Sequence, residues 1–198
     1  MRHRLLPVLF LLLPVPMTAQ VDLTVRLVES RHGSQASAPD IGDGPSIRPL
    51  ADLGAGLEVG LRRGDWRVSV GTARITHDLV LQGGDAGIIT PDVLRGVDLA
   101  VQVGRPILRH GDASIELAAG VIGTRWSFVG LGDPSRWRWG PVASLAGVLP
   151  LSGGVSAVTR LAVSRAGGIF TDEEIPEEYT RESANRFEWS VGLRLGRR

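Results

Sequence analysis

Cysteine and lysine are both absent from the 198 residues of this chain. Without cysteine there is no disulfide scaffold and no thiolate metal site. Without lysine every cation is an arginine, which we read as composition bias pointing to no particular partner. An excess of one charge is missing too, since 22 arginines stand against 21 acids. A nucleic-acid partner would require a strongly basic face, so none is expected. Helical periodicity is also lacking. Beyond residue 19 no dozen-residue stretch places apolar side chains at i, i+3, i+4 and i+7, and 26 glycines are scattered along the chain. No apolar run is long enough to cross a bilayer as a helix.

The longest apolar run, Leu5 to Val15, follows Arg2 and Arg4 and precedes Met17-Thr18-Ala19. A basic start, a short greasy stretch and a small residue are the parts of a secretory signal peptide, with cleavage expected after Ala19. Pro7, Pro14 and Pro16 argue against an anchor helix. No cysteine follows to accept a lipid anchor. Residues 1–19 are therefore expected to be removed, and residues 20–198 to form one domain with 20 arginines against 21 acids.

What is abundant is two-residue alternation. In Phe187-Glu188-Trp189-Ser190-Val191-Gly192-Leu193-Arg194-Leu195 every odd position is apolar and every even one is polar or glycine. Successive side chains of a strand point to opposite faces, so the segment has one greasy and one wet face. The pattern recurs and predicts eight strands, near 21–29, 50–62, 66–76, 96–106, 113–127, 137–149, 155–165 and 186–195. The third loses its phase near Thr72 to Arg74, where a bulge is expected. The gaps run alternately long and short. Residues 30–49, 77–95 and 166–185 are the long ones, 130–135 is a modest one, and Arg63-Gly64-Asp65, His110-Gly111-Asp112 and 150–154 are tight turns.

An even number of strands joined as hairpins, with both ends on one side, closes into an up-and-down barrel without exposed edges. Nine or ten residues is the length of a tilted membrane-crossing strand. The polar face is built largely of glycine, alanine and serine, as a narrow interior requires. Trp137, Trp139, Phe187 and Trp189 fall near one rim and Trp66 near the other, as aromatic girdles do at the two membrane interfaces. Trp126 shares parity with Glu116 and should face inward, unless Gly123 marks a bulge; it could also stand above the bilayer.

On these features the chain resembles the small eight-stranded outer-membrane β-barrels of Gram-negative bacteria, of the OmpA-transmembrane-domain, OmpX and OmpW kind. The resemblance implies an all-β, eight-stranded antiparallel transmembrane barrel in the bacterial outer membrane. It implies contact with outer-membrane lipids and lipopolysaccharide. It also implies passage through the outer-membrane assembly machinery, which reads a final strand usually ending in an aromatic residue. Leu195 stands at that place here, followed by Gly196-Arg197-Arg198.

Within such a barrel Glu58, Arg62, Asp98, Gln102, Glu116, Arg160, Glu188 and Arg194 should point inward. Their balanced signs suggest a paired polar network filling the lumen, because an unpaired charge there is costly. No catalytic centre, cofactor or metal ligand set is expected. His32 with Ser34, and His77 with Asp78, are the nearest approach to a hydroxyl-and-base arrangement, and His110 lies in a short turn on the opposite side. The acidic run Asp172 to Glu178 lacks calcium-loop spacing, and Gly54, Gly56 and Gly60 lie within a strand, unlike a dinucleotide fingerprint. Two other readings stay open: a secreted or periplasmic lipocalin-like barrel with an apolar ligand, and a lipid-modifying outer-membrane enzyme.

Overall fold

The computed structural model describes residues 19–196 except 34–35, 39–43, 51, 84–85, 129–134, 171–174 and 176. Among these residues there is no helix. The strands are β1 (Gln20–His32), β2 (Ala36–Ser37), β3 (Ser46–Pro49), β4 (Asp52–Arg63), β5 (Trp66–Gly83), β6 (Ala86–His110), β7 (Ala113–Phe128), β8 (Arg136–Ser152), β9 (Val155–Ala166), β10 (Thr180–Arg181) and β11 (Ala184–Gly196).

Eight of them close a ring in the order β5-β4-β1-β11-β9-β8-β7-β6, sealed by the pairing of β5 with β6. Every neighbouring pair is antiparallel, and the first strand meets the last in register from Asp22↔Gly196 to His32↔Arg186. Three tight turns join β4–β5, β6–β7 and β8–β9 at one end, with Gly64, Gly111 and Gly153 at positive φ. Both chain ends of the ring lie at that same end.

Parity decides what each strand does. On β1, Val21, Leu23, Val25 and Leu27 face out and are exposed, whereas Asp22, Thr24, Arg26 and Val28 are buried inside. The same division holds for Leu57 and Val59 against Glu58 on β4, and for Val101 and Val103 against Gln102 on β6. The apolar face is thus turned outward and the polar face inward, the reverse of a water-soluble barrel.

The far end departs from the sequence reading. The expected gap 77–95 is mostly a hairpin: β5 runs on to Gly83 and β6 starts at Ala86, paired through Leu79↔Thr90 and Gly83↔Ala86. Alternation fades from Thr72 onward: Thr72, Arg74 and Thr76 occupy the outward positions, and the apolar side chains exposed beyond them, Leu81 and the adjacent Ile88 and Ile89, no longer alternate with polar ones. No bulge occurs at Thr72 to Arg74; the register shifts between His77 and Leu79 instead. Nor does one occur at Gly123, which pairs in step with Leu99.

Gaps 30–49 and 166–185 are also partly structured. β3 extends the wall by pairing with β5 beyond the end of β4 (Ser46↔Gln82, Pro49↔Leu79), and β10 pairs with β2. These pieces enclose a small core of Ala36, Leu94, Trp126, Ile169, Phe170 and Ile175, with Ile47, Leu79, Phe128 and Tyr179 packed against it. Leu94 and Ile169 are fully buried, and each such side chain contributes about 1.5–3 kcal/mol by leaving water. The end of the barrel opposite the tight turns therefore carries a folded cap.

Candidate functional site

Three tiers of ion pairs cross the lumen. At the turn end, Glu116 on β7 accepts from Arg62 on β4 and from Arg194 on β11, the latter at 3.0 Å. In the middle, Arg67 on β5 donates Nε to Asp22 Oδ2 on β1 at 2.9 Å and Nη1 to Glu58 on β4 at 2.7 Å. Arg160 on β9 reaches the other oxygen of Glu58 at 2.6 Å and also donates to Gln102 on β6. Nearest the cap, Glu188 on β11 takes Arg26 at 2.6 Å and Arg186 at 2.9 Å. Arg186 continues to Asp98 on β6, whose second oxygen accepts from the Thr124 hydroxyl at 2.6 Å.

Every residue expected inward from the sequence stands in this network: Glu58, Arg62, Asp98, Gln102, Glu116, Arg160, Glu188 and Arg194. The structure adds Asp22, Arg26, Arg67 and Arg186. All four share inward parity, and the signal was available: Arg67 follows outward Trp66, and Arg186 precedes outward Phe187. Six arginines thus meet five carboxylates, most of them under a tenth exposed. A buried pair like these costs a great deal to break from one side, about 3–5 kcal/mol. The space left among Thr24, Glu58, Gln102, Ser144 and Arg160 is about 30 Å³, room for about one or two waters. Below it a vestibule of about 250 Å³ opens at the turn end beside Asp22, Arg62, Asp112 and Arg194.

Above the ion pairs lies an aromatic layer. His32, His77 and Trp126 pack together, the two imidazoles edge-on at 4.9 Å and Trp126 at 5.3 and 5.5 Å from them. Trp126 faces inward and is buried beneath the cap. His77 Nδ1 lies 3.1 Å from the Leu50 carbonyl. His32 Nε2 lies 2.8 Å from Ser30 Oγ. The sequence pairs His32 with Ser34, which lies outside the described residues; the hydroxyl beside the imidazole is that of Ser30. A nucleophile needs an accessible hydroxyl and a base oriented by a third group. Ser30 is fully buried and His32 Nδ1 makes no hydrogen bond. His110 is exposed at the end of β6, beside the β6–β7 turn. Of the acidic run, Asp172 to Glu174 and Pro176 lie outside the described residues.

On the outer wall the aromatics mark two levels. Trp66 is exposed at the turn end with the Arg105 guanidinium 5.6 Å from its ring centre. At the cap end Trp137 and Trp139 stack at 5.4 Å, and Phe187 and Trp189 stand outward on β11. Between the levels the exposed surface is Leu23, Val25, Leu57, Val70, Val101, Leu117, Val121, Leu145, Leu161 and Leu193.

Neither a family model nor a curated protein matches the sequence. Solved structures do match in fold. Neisserial surface protein A superimposes with a TM-score of 0.61 at 13% identity, over 88% of this chain and 96% of that one. OprG, an outer membrane protein of Pseudomonas aeruginosa, gives 0.57 at 11% identity, over 89% and 95%. The attachment invasion locus protein Ail of Yersinia pestis gives 0.52 at 12%, over 91% and 100%. This chain has the fold of the small eight-stranded outer-membrane β-barrels.

Proposed function

We propose that residues 20–198 form an integral barrel of the bacterial outer membrane, exported by the signal peptide at 1–19 and inserted by the outer-membrane assembly machinery. One observation carries this reading: a closed ring whose exterior is a continuous apolar belt bounded by tryptophans. Such a surface is stable only where hydrocarbon wets it. The ring's solved relatives in fold point the same way.

Its work is non-enzymatic and done at the outer end. The lumen is occupied by paired charges, so the barrel is a sealed post rather than a pore. The folded cap and the segments 30–49, 77–95 and 166–185 are what it presents outside, to lipopolysaccharide or to other surfaces. A lipocalin-like carrier would need an apolar cavity inside, and the inward face here is charged.

Fractionation tests the reading. The chain should sediment with outer membranes and resist carbonate extraction, and its folded form should migrate differently on a gel from the boiled form. Recovery in the osmotic-shock fluid would refute it.

A further inference from the structure

Among the described residues, Arg31, Arg74, Arg95, Arg125 and Arg165 face outward near the cap end of the belt. Two of them stand apart from the rest, on β1 and β9. Arg31 pairs with Glu29 at 2.9 Å, and Arg165 bonds the Ser183 hydroxyl. The other three gather on adjacent strands. Arg74 on β5 stands opposite Val97 on β6, and Val97 stands opposite Arg125 on β7, so the first and third lie in one row. Two strand spacings separate them, about 10 Å. Arg95 sits one outward position higher on β6, opposite Thr76 on one side and Ser127 on the other.

No carboxylate among the described residues pairs with any of the three. Among the described residues Arg125 donates to the Ser135 hydroxyl, at 2.8 Å. The Nε of Arg95 is shielded from solvent and has no hydrogen-bond partner. Three like charges so placed repel one another unless an anion lies among them. The six lumen arginines, by contrast, each meet a carboxylate.

Depth identifies the anion. Trp66 marks the inner edge of the belt, and Arg74 lies eight residues farther along β5. At a rise of ~3.3 Å per residue and a tilt of ~40°, that is ~20 Å along the membrane normal, close to the ~25 Å height of a barrel's apolar band. Immediately below the arginines the outward row is Thr72, Leu99, Gly123 and Trp139, and below that Val70, Val101, Val121 and Pro141. A ligand must offer negative charge at the top and hydrocarbon beneath. A soluble anion offers only the first.

We propose that Arg74, Arg95 and Arg125 form a site on the outer wall of the barrel for the phosphate of an outer-leaflet lipid headgroup. Guanidinium groups suit it because each presents a planar pair of donors to phosphate oxygens. The alkyl parts of the side chains lie on the wall and lift the charged ends to the headgroup layer. The proposal rests on the outer-membrane reading above and adds the ligand's chemistry and its seat.

The test uses the full-length mature barrel folded in detergent, with folding confirmed by heat-modifiable gel migration. Native mass spectrometry measures retention of bis-phosphorylated lipid A, of its dephosphorylated form, and of the bis-phosphorylated form in the presence of inorganic phosphate. The wild type should hold the phosphorylated lipid about a hundredfold more tightly than the Arg74→Gln/Arg95→Gln/Arg125→Gln variant. Both should hold the dephosphorylated lipid alike, and equimolar inorganic phosphate should not displace the bound lipid. An Arg31→Gln/Arg165→Gln control should bind as the wild type does.

Equal retention by the triple variant, equal loss in the control, or displacement by inorganic phosphate would each overturn the site as stated, the last by making it a soluble-anion site. Should the triple variant fail to fold, Arg95→Gln alone should show about a fivefold loss of the same preference, and no loss would overturn the proposal. A wild type that never shows the folded band would instead defeat the membrane reading itself.

Discussion

Arg186 and Asp98 meet at 2.6 Å across the full diameter of the barrel, because β11 and β6 lie four places apart in a ring of eight. A single ion pair thus bridges opposite walls, with Arg26, Glu188 and Thr124 bonded around it. Asp98→Ala should destabilise the barrel by about 3–5 kcal/mol, since Arg186 would keep its charge and lose its principal partner. Urea midpoints of the folded form in lipid vesicles measure this. A loss below about 1 kcal/mol would mean that the pair behaves as an exposed one.

The middle tier leaves only about 30 Å³ of space among Thr24, Glu58, Gln102, Ser144 and Arg160. In planar bilayers the wild type should give no discrete conductance steps at moderate voltage. Replacing both Glu58 and Arg160 by alanine removes the middle tier from β4 and β9 while keeping charge balance. Small, noisy openings are then expected. Regular wild-type steps would show that the network is a gate and not a plug.

Exterior substitutions should depend on depth. Leu57 lies opposite Val25 near the middle of the belt, while Val21 lies opposite Leu61 close to the β4–β5 turn. Leu57→Arg should cost about 2–4 kcal/mol and Val21→Arg about 0–1 kcal/mol, because an arginine near an interface can reach the headgroups. Vesicle-folding yield and urea midpoint of the two variants give the comparison. Equal effects would mean that the exterior is not wetted by hydrocarbon.

The membrane-crossing part of the fold was legible because lipid forces contrast: Leu193 against Arg194, or Val101 against Gln102, can hardly be read another way. Above the belt that contrast is gone. Arg74 and Thr76 face out where leucine or valine would stand lower down, so the β5–β6 extension looked like a loop although its backbone pairing is interrupted only between His77 and Leu79. Inward parity identified lumen charges but not their partners. Which carboxylate meets Arg186 depends on how far each strand is staggered around the ring, and no local pattern encodes that. The cap was hidden for the same reason: Leu94 meets Ile169 only after the chain has passed several times around the barrel.

Glycine sets how closely walls can approach. A Cβ on Gly192 would overlap the Val25 carbonyl oxygen and crowd the Cα and Cβ of Arg26, and one on Gly120 would overlap the Val101 carbonyl. Backbone cannot yield as a flexible side chain can. Gly192→Ala should therefore slow or block closure of β11 on β1, which seals the ring. Gly64→Ala tests a different constraint, since nothing surrounds that position but its φ is +58°, so its cost should be about 1 kcal/mol. Folding yield of Gly192→Ala below that of Gly64→Ala is the expected order.

Stability should also depend on pH through one imidazole above the belt. His32 lies on β1 beyond Leu27, the last outward apolar residue of that strand, and beyond outward Glu29 and Arg31. Burial first, then the Arg186 guanidinium and His77, hold its pKa well below the ordinary histidine value. The unfolded chain takes up this proton near about pH 6.5 while the folded barrel does not. Stability from this group is therefore complete above that pH and falls as the pH drops, by at most about 1.4 kcal/mol per unit. Urea midpoints at about pH 8 and about pH 5.5 should differ more for the wild type than for His32→Gln, whose side chain does not titrate. Identical pH dependence in the two proteins would show that His32 is already free to protonate beneath the cap.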